Sequence, residues 1–162
     1  MPVVSKVEEI KKEVDRMALA ATSAKEFMRQ IVDLLHDRML KYNWVGFYML
    51  EKPASGPAML VLGCFQGAMT PHTRIPLNQG ICGAAASTGK TVVVEDVSSD
   101  PRYLACSVET KSEIVVPVFV KNRVVGELDI DSHFPGTFDH EDRGLIEYCA
   151  GLVGKRLEKS GP

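Results

Sequence analysis

Glu113-Ile114-Val115-Val116-Pro117-Val118-Phe119-Val120, then Lys121-Asn122-Arg123, then Val124-Val125-Gly126-Glu127-Leu128-Asp129-Ile130-Asp131, is the stretch whose pairing decides the fold. The first run is apolar on both faces, which predicts a strand buried on both sides. The second alternates, with Val125, Glu127, Asp129 and Asp131 on one face and Val124, Leu128 and Ile130 on the other. Joined as a hairpin through a three-residue loop, Lys121 to Arg123, they pair Val120 with Val124 and bring Glu113 opposite Asp131. Glu113, Asp129 and Asp131 then share one face, whereas a two-residue loop would shift the pairing by one and separate them. A row of acids on a strand also fits a solvated face. Collected together they repel, so that one keeps a proton near neutral pH and serves as a general acid, or the set binds an ammonium group.

Upstream of the hairpin, Val4, Val7, Ile10, Val14, Met17 and Leu19 recur at helical spacing. Ser23-Ala24-Lys25-Glu26 fits a capping box that opens a second helix with the stripe Phe27, Ile31, Leu34, Leu35 and Met39. From Asn43 the period changes to two. Val45, Phe47 and Met49 oppose Trp44, Gly46 and Tyr48, and a turn at Lys52 to Pro57 leads to a second strand, Ala58 to Phe65. A short extended piece is expected at Thr73 to Pro76, a short helix at Gly80 to Ser87 ended by Gly89-Lys90, and a strand at Thr91 to Glu95. Asp96 to Val108 reads as a long connection. A closing helix follows Phe138-Asp139 through Leu145, Tyr148, Leu152 and Val153. Helices, a run of strands and a final helix predict an α+β fold with a largely antiparallel sheet.

With 162 residues, 45% apolar and 25% charged, the chain reads as a single globular domain spanning 1–162. A formal charge of −2 offers no basic surface for nucleic acid or anionic membrane. The amino terminus lacks an apolar signal region and no run is long enough to span a bilayer, which predicts a cytoplasmic protein. In that compartment 4 Cys are better read as reactive or buried thiols than as a disulfide framework.

Cys82 lies between two glycines where the chain enters a helix, so unpaired amides and the helix dipole are expected to lower its thiol pKa, unless it is a small buried packing residue. Cys106, in the long connection, is placed to be approachable, as a nucleophilic thiol must be. Cys64 and Cys149 fall in strand and helix patterns that suggest buried apolar roles. Trp44 and Tyr48 share a strand face and form either a core contact or an aromatic wall for an apolar or cationic group.

Asn43-Trp44-Val45-Gly46-Phe47-Tyr48, Gly80-Ile81-Cys82-Gly83, Leu104-Ala105-Cys106, Ser112-Glu113-Ile114-Val115-Val116-Pro117 and Leu128-Asp129-Ile130-Asp131 together resemble the free methionine-(R)-sulfoxide reductases, a GAF-domain family. The resemblance also takes in Leu62-Gly63, Phe65-Gln66-Gly67 and Val94-Glu95-Asp96-Val97, in unbroken order over nearly the whole chain. It implies a GAF fold: a central antiparallel sheet, helices from both chain ends on one face, a ligand pocket on the other, and a homodimer. It implies that Cys106 is the nucleophile, that Cys82 resolves it through a disulfide recycled by thioredoxin, and that Trp44, Tyr48, Glu113, Asp129 and Asp131 contact the substrate. No metal or organic cofactor is needed. Two departures stand out: His72 occupies the position of a further cysteine in three-cysteine family members, and Ser107 follows Cys106 where Asp is frequent. The alternatives are a GAF module that binds a small ligand without turnover, and a thiol redox sensor.

Overall fold

The structure, a computed structural model, describes residues 5–104 and 109–160. Two helices open the chain, α1 (Lys6–Ala20) and α2 (Ala24–Arg38). Both begin on a serine. Ser5 Oγ accepts from the Glu8 amide at 3.2 Å and Ser23 Oγ from the Glu26 amide at 3.0 Å. The Glu26 carboxylate reaches back one residue beyond the expected capping box, accepting from the Thr22 amide at 2.7 Å. The apolar stripe of α1 is shorter than its periodicity suggests: Ile10 and Val14 are fully buried, but Leu19 is 90% exposed.

Next come β1 (Trp44–Glu51), β2 (Met59–Gln66), β3 (Arg74–Pro76), α3 (Gly80–Thr88), β4 (Val92–Val94), a 3-10 turn (Val97–Ser99), β5 (Ser112–Val120), β6 (Arg123–Ser132) and α4 (His140–Ser160). The strands form one antiparallel sheet in the order β3-β2-β1-β6-β5-β4. Helices α1, α2 and α4 cover one face, where Phe27, Ile31, Leu35, Phe47, Leu128, Ile130 and Leu145 form a core without solvent exposure. Burying each such side chain contributes roughly 1.5–3 kcal/mol. At the start of α4, Asp139 and Asp142 each accept the other's backbone amide, and the Tyr42 hydroxyl donates to Asp142.

The hairpin differs from the expected three-residue loop. Lys121 and Asn122 alone make the turn, with φ of 50° and 65°, the left-handed pair of a type I′ connection. Val120 therefore pairs with Arg123 and Phe119 with Val124. A bulge follows, because Val118 pairs with Gly126 and leaves Val125 as an extra residue. The shorter loop moves the register by one and the bulge moves it back. Glu113 thus lies opposite Asp131 after all.

The other face of the sheet carries α3. A side chain at Gly83 would place its Cβ 2.8 Å from the Leu77 carbonyl oxygen, so glycine lets this helix sit close to the β3 end. Gly89, with φ of 68°, ends α3 in the left-handed conformation, its amide bonding the Ala85 carbonyl.

Candidate active site

Three neighbouring strands aim their chemistry at α3. Trp44, Gly46 and Tyr48 of β1 lie opposite Asp131, Asp129 and Glu127 of β6, while Glu113 of β5 lies opposite Asp131. All four acids are buried, Glu127 completely. Cys82, on the first turn of α3, faces them: its Sγ donates to Asp129 Oδ2 at 3.4 Å. Donor atoms of Cys82, Glu113 and Asp129 all fall within 4.8 Å of one another.

The aromatic side is a layered stack. The Trp44 ring lies against Tyr48, centroids 6.2 Å apart, and against Phe65 at 5.6 Å. Its indole N–H donates to the Ala68 carbonyl at 3.0 Å. The ring covers Gly46, where a Cβ would be 2.4 Å from it. The Tyr48 hydroxyl donates to the His72 carbonyl at 2.7 Å, so His72 contributes to the pocket wall through its backbone.

These groups line two small cavities. One, of about 20 Å³, is bounded by Tyr48, His72, Cys82, Leu104, Glu113 and Asp129. The other, of about 80 Å³, is bounded by Trp44, Met69, Thr70, Glu109, Asp131 and His133. The first holds about one water, and a free amino acid enters only if its walls part.

Electrostatics in the cluster are governed by burial. Loss of solvent raises the Glu113 pKa well above the usual carboxylate range, and the neighbouring charges of Asp129 and Asp131 raise it further. Asp131 and Glu127 are raised well above it too, by burial first and then by Asp129. Asp129 is also raised by burial, but the donors Glu113 and Cys82 pull it back down. Asp129 is therefore the member of the set that best supports a negative charge. Of the two readings open for Cys82, a thiol lowered by the helix terminus and a small buried residue, the structure gives the buried one. Burial, followed by Asp129, Glu127 and Glu113, pushes its thiol well above the ordinary value, overriding the helix terminus.

Of the residues singled out from sequence, Trp44, Tyr48, Cys82, Glu113, Asp129 and Asp131 come together on this face. Cys106 lies outside the described residues. Cys149 is buried in the helical core with its thiol pushed up to about 12, and burial also raises Cys64 on β2, which packs against that core. Glu127 belongs to the same buried set, although only its strand alternation was visible in the sequence.

The GAF domain family matches residues 23–157. The free methionine-R-sulfoxide reductase of Escherichia coli is 42% identical over 120 residues, covering 74% of this chain and 69% of that protein. The structure superposes on the free methionine-R-sulfoxide reductase of Neisseria meningitidis in complex with its substrate with a TM-score of 0.87, at 35% identity over 99% of this chain and 95% of that one. It superposes on the type II free methionine-R-sulfoxide reductase of Thermoplasma acidophilum with a TM-score of 0.77, at 35% identity over 93% and 96% of the two chains. A shared fold alone would indicate only a GAF domain, whereas identity of 42% over 74% of the chain carries the narrower assignment. The chain belongs to the GAF domain family and, within it, to the free methionine-R-sulfoxide reductases.

Proposed function

We propose that this protein reduces free methionine-(R)-sulfoxide to methionine. The observation that carries the reading is the buried acid cluster under α3, faced by the Trp44–Tyr48 stack and touched by the Cys82 thiol. A sulfoxide oxygen must be protonated as its bond to sulfur breaks, and burial and mutual repulsion push the acids of this cluster toward their protonated forms. Cys106 takes the nucleophilic role by family resemblance. Its thiolate attacks the sulfoxide sulfur, one proton passes to the oxygen from Glu113 or Asp131, and as the substrate's sulfur–oxygen bond breaks the hydroxyl ends on the Cys106 sulfur. Methionine leaves, and Cys106 is oxidised to a sulfenic acid. Cys82 then displaces the hydroxyl as water, forming the Cys106–Cys82 disulfide.

Asp129 carries the negative charge that pairs with the substrate ammonium, which a methionine within a protein lacks. The methyl group lies against Trp44 and Tyr48. An external dithiol, a cytoplasmic thioredoxin, exchanges with the disulfide and restores both thiols. Two cysteines complete this cycle without a thiol at position 72. The protein acts as a homodimer.

A thioredoxin-coupled assay of NADPH consumption tests the reading. Turnover of the free (R) form alone, neither the (S) epimer nor a peptide-embedded sulfoxide, and its loss in Cys106→Ser are expected. Single-turnover release of methionine with dithiothreitol separates a failed recycling step from absent chemistry. Silence in both assays would leave a ligand-binding or redox-sensing GAF domain.

A further inference from the structure

The Cys82 thiol and two of the buried acids stand at the spacing of metal ligands. Cys82 Sγ is 3.4 Å from Asp129 Oδ2, and one donor atom from each of Cys82, Glu113 and Asp129 falls within 4.8 Å of the others. Around a tetrahedral Zn²⁺, with bonds of about 2.3 Å to sulfur and about 2.0–2.2 Å to oxygen, neighbouring sulfur and oxygen ligands lie roughly 3.5 Å apart. The thiol and Asp129 already have that spacing, and the remaining separations need to close by no more than about 1.3 Å. A second observation is independent of spacing. Asp129 Oδ1 and Asp131 Oδ1 are buried with no hydrogen-bond partner among the described residues, and each residue is 4% exposed. Buried carboxylates are ordinarily paired with a cation or coordinate a metal. Among the described residues, no Lys or Arg lines the cavity of about 20 Å³ that Cys82, Glu113 and Asp129 border. That cavity has room for one water as a fourth ligand.

We propose that Cys82, Glu113 and Asp129 form a binding site for a borderline-soft divalent cation, Zn²⁺, whose occupancy blocks the reductase. The site stands on its own geometry, whereas the block rests on the reductase reading. A thiolate ligand selects against Mg²⁺ and Ca²⁺, which take oxygen ligands, while both carboxylates accept Zn²⁺. The cation replaces the thiol and carboxyl protons, which pass to solvent, and neither metal nor sulfur changes oxidation state. Two positive charges then face one thiolate and two carboxylates, so the buried anions are largely compensated. Zn²⁺ here is an occupant and not a cofactor. It takes Asp129 from the substrate ammonium, Glu113 from proton donation and Cys82 from disulfide formation.

Co²⁺ is the probe for the site, because cobalt bound to thiolate gives an intense near-ultraviolet charge-transfer band that oxygen ligands do not. Titration of the reduced, metal-free protein is expected to develop this band with one Co²⁺ per chain, and Zn²⁺ is expected to abolish it by displacement. The band is expected to persist in Cys64→Ser and Cys106→Ser and to vanish in Cys82→Ser. Asp129→Asn, which keeps the side-chain shape, is expected to weaken binding of both metals about a hundredfold or more, since loss of an outer-shell partner alone costs about 10–100-fold. A band that survives Cys82→Ser, that disappears in either other cysteine variant, or that never forms in the wild type with excess Co²⁺ overturns the site. Unchanged affinity in Asp129→Asn overturns it equally.

The block is read from single-turnover methionine release by the reduced protein without external thiol. Release is expected to slow about a hundredfold or more at full Zn²⁺ occupancy, the least that loss of a positioned acid commonly costs, and to return when EDTA removes the metal. Undiminished release at full occupancy overturns the block. No release from the metal-free wild type overturns the reductase reading instead, and the cobalt band still decides the site.

Discussion

At Cys82 two influences act in opposition. The first turn of α3 offers a dipole worth about 0.3–1 kcal/mol to a thiolate, rising to about 2 kcal/mol in favourable buried geometries. Full burial can move a titratable group by about 3–5 pKa units, and three acids add to it here. Burial wins, and Cys82 should alkylate slowly at pH 7 in the native protein, reacting readily only well above pH 9; rapid labelling at neutral pH would contradict this balance. The same burial supports Glu113 as one of the two proposed proton donors. Glu113→Gln is expected to lower kcat by about 10²–10⁴, the usual contribution of a positioned acid. Because the donor must be protonated, wild-type activity is expected below its raised pKa and lost above it. Glu127 supports a stability prediction. Its folded pKa exceeds the unfolded carboxylate value, so its protonated form favours folding at low pH, and this contribution fades as pH rises from about 4.3 through the folded pKa. Glu127→Leu should therefore raise Tm, by the equivalent of about 1–3 kcal/mol, and flatten its decline between pH 5 and 8. Thermal unfolding across that range measures both effects. The strand alternation showed which face Glu127 shares, but not that the position would be sealed from solvent. The close approach of α3 to the β3 end at Gly83 likewise lies outside any strand pattern.

The β5–β6 hairpin shows how an element can be legible in sequence while its construction is not. Glu113 opposite Asp131 follows from the alternation, since one face of β6 must meet the helical core and the other the pocket. Loop length does not follow. Lys121-Asn122-Arg123 carries no Gly to announce a two-residue turn, and the compensating bulge at Val125 has no marker of its own in a Val-Val-Gly run. Asn tolerates the left-handed region and Lys tolerates it less well, yet both adopt positive φ here. Asn122→Gly is expected to stabilise the protein by about 0.5–1 kcal/mol, because Asn-Gly-like glycine at the second turn position matches the twist of the strands without a Cβ penalty. Equilibrium urea unfolding checks this, with a higher midpoint at unchanged m-value. A fall in stability would mean that the Asn122 side chain holds the turn in a way its backbone angles do not reveal. The caps were easier to read, because Ser23 and Glu26 signal a helix start by residue type alone; the extra reach to Thr22 refines that signal without displacing the helix.

Across the whole molecule, the sheet divides the chain into a helical core on one side and a reactive cluster on the other, and the only Trp in the sequence belongs to the reactive side. Its emission therefore reports on the pocket. The cavities of about 20 and 80 Å³ flank a site assembled from Trp44, Tyr48 and the four acids, so admission of an amino acid must part groups that are in contact. Trp44 stacks on Tyr48 and Phe65, tethered by its N–H to Ala68, and any opening between the cavities changes its surroundings. In Cys106→Ser, expected under the proposed mechanism to bind without turnover, free methionine-(R)-sulfoxide is expected to change Trp44 emission saturably. It should also raise unfolding stability by about 2.7 kcal/mol at a ligand concentration of 100 Kd, as linkage requires of a ligand that binds only the folded state. Gly46→Ala supplies the structural control: the added Cβ would lie 2.4 Å from the indole and must displace it, so emission should shift before ligand is added and KM should rise more than kcat falls. If the sulfoxide stabilises the protein while Trp44 emission stays constant in both backgrounds, the ligand occupies a site away from the aromatic stack, and the pocket assignment fails while family membership stands.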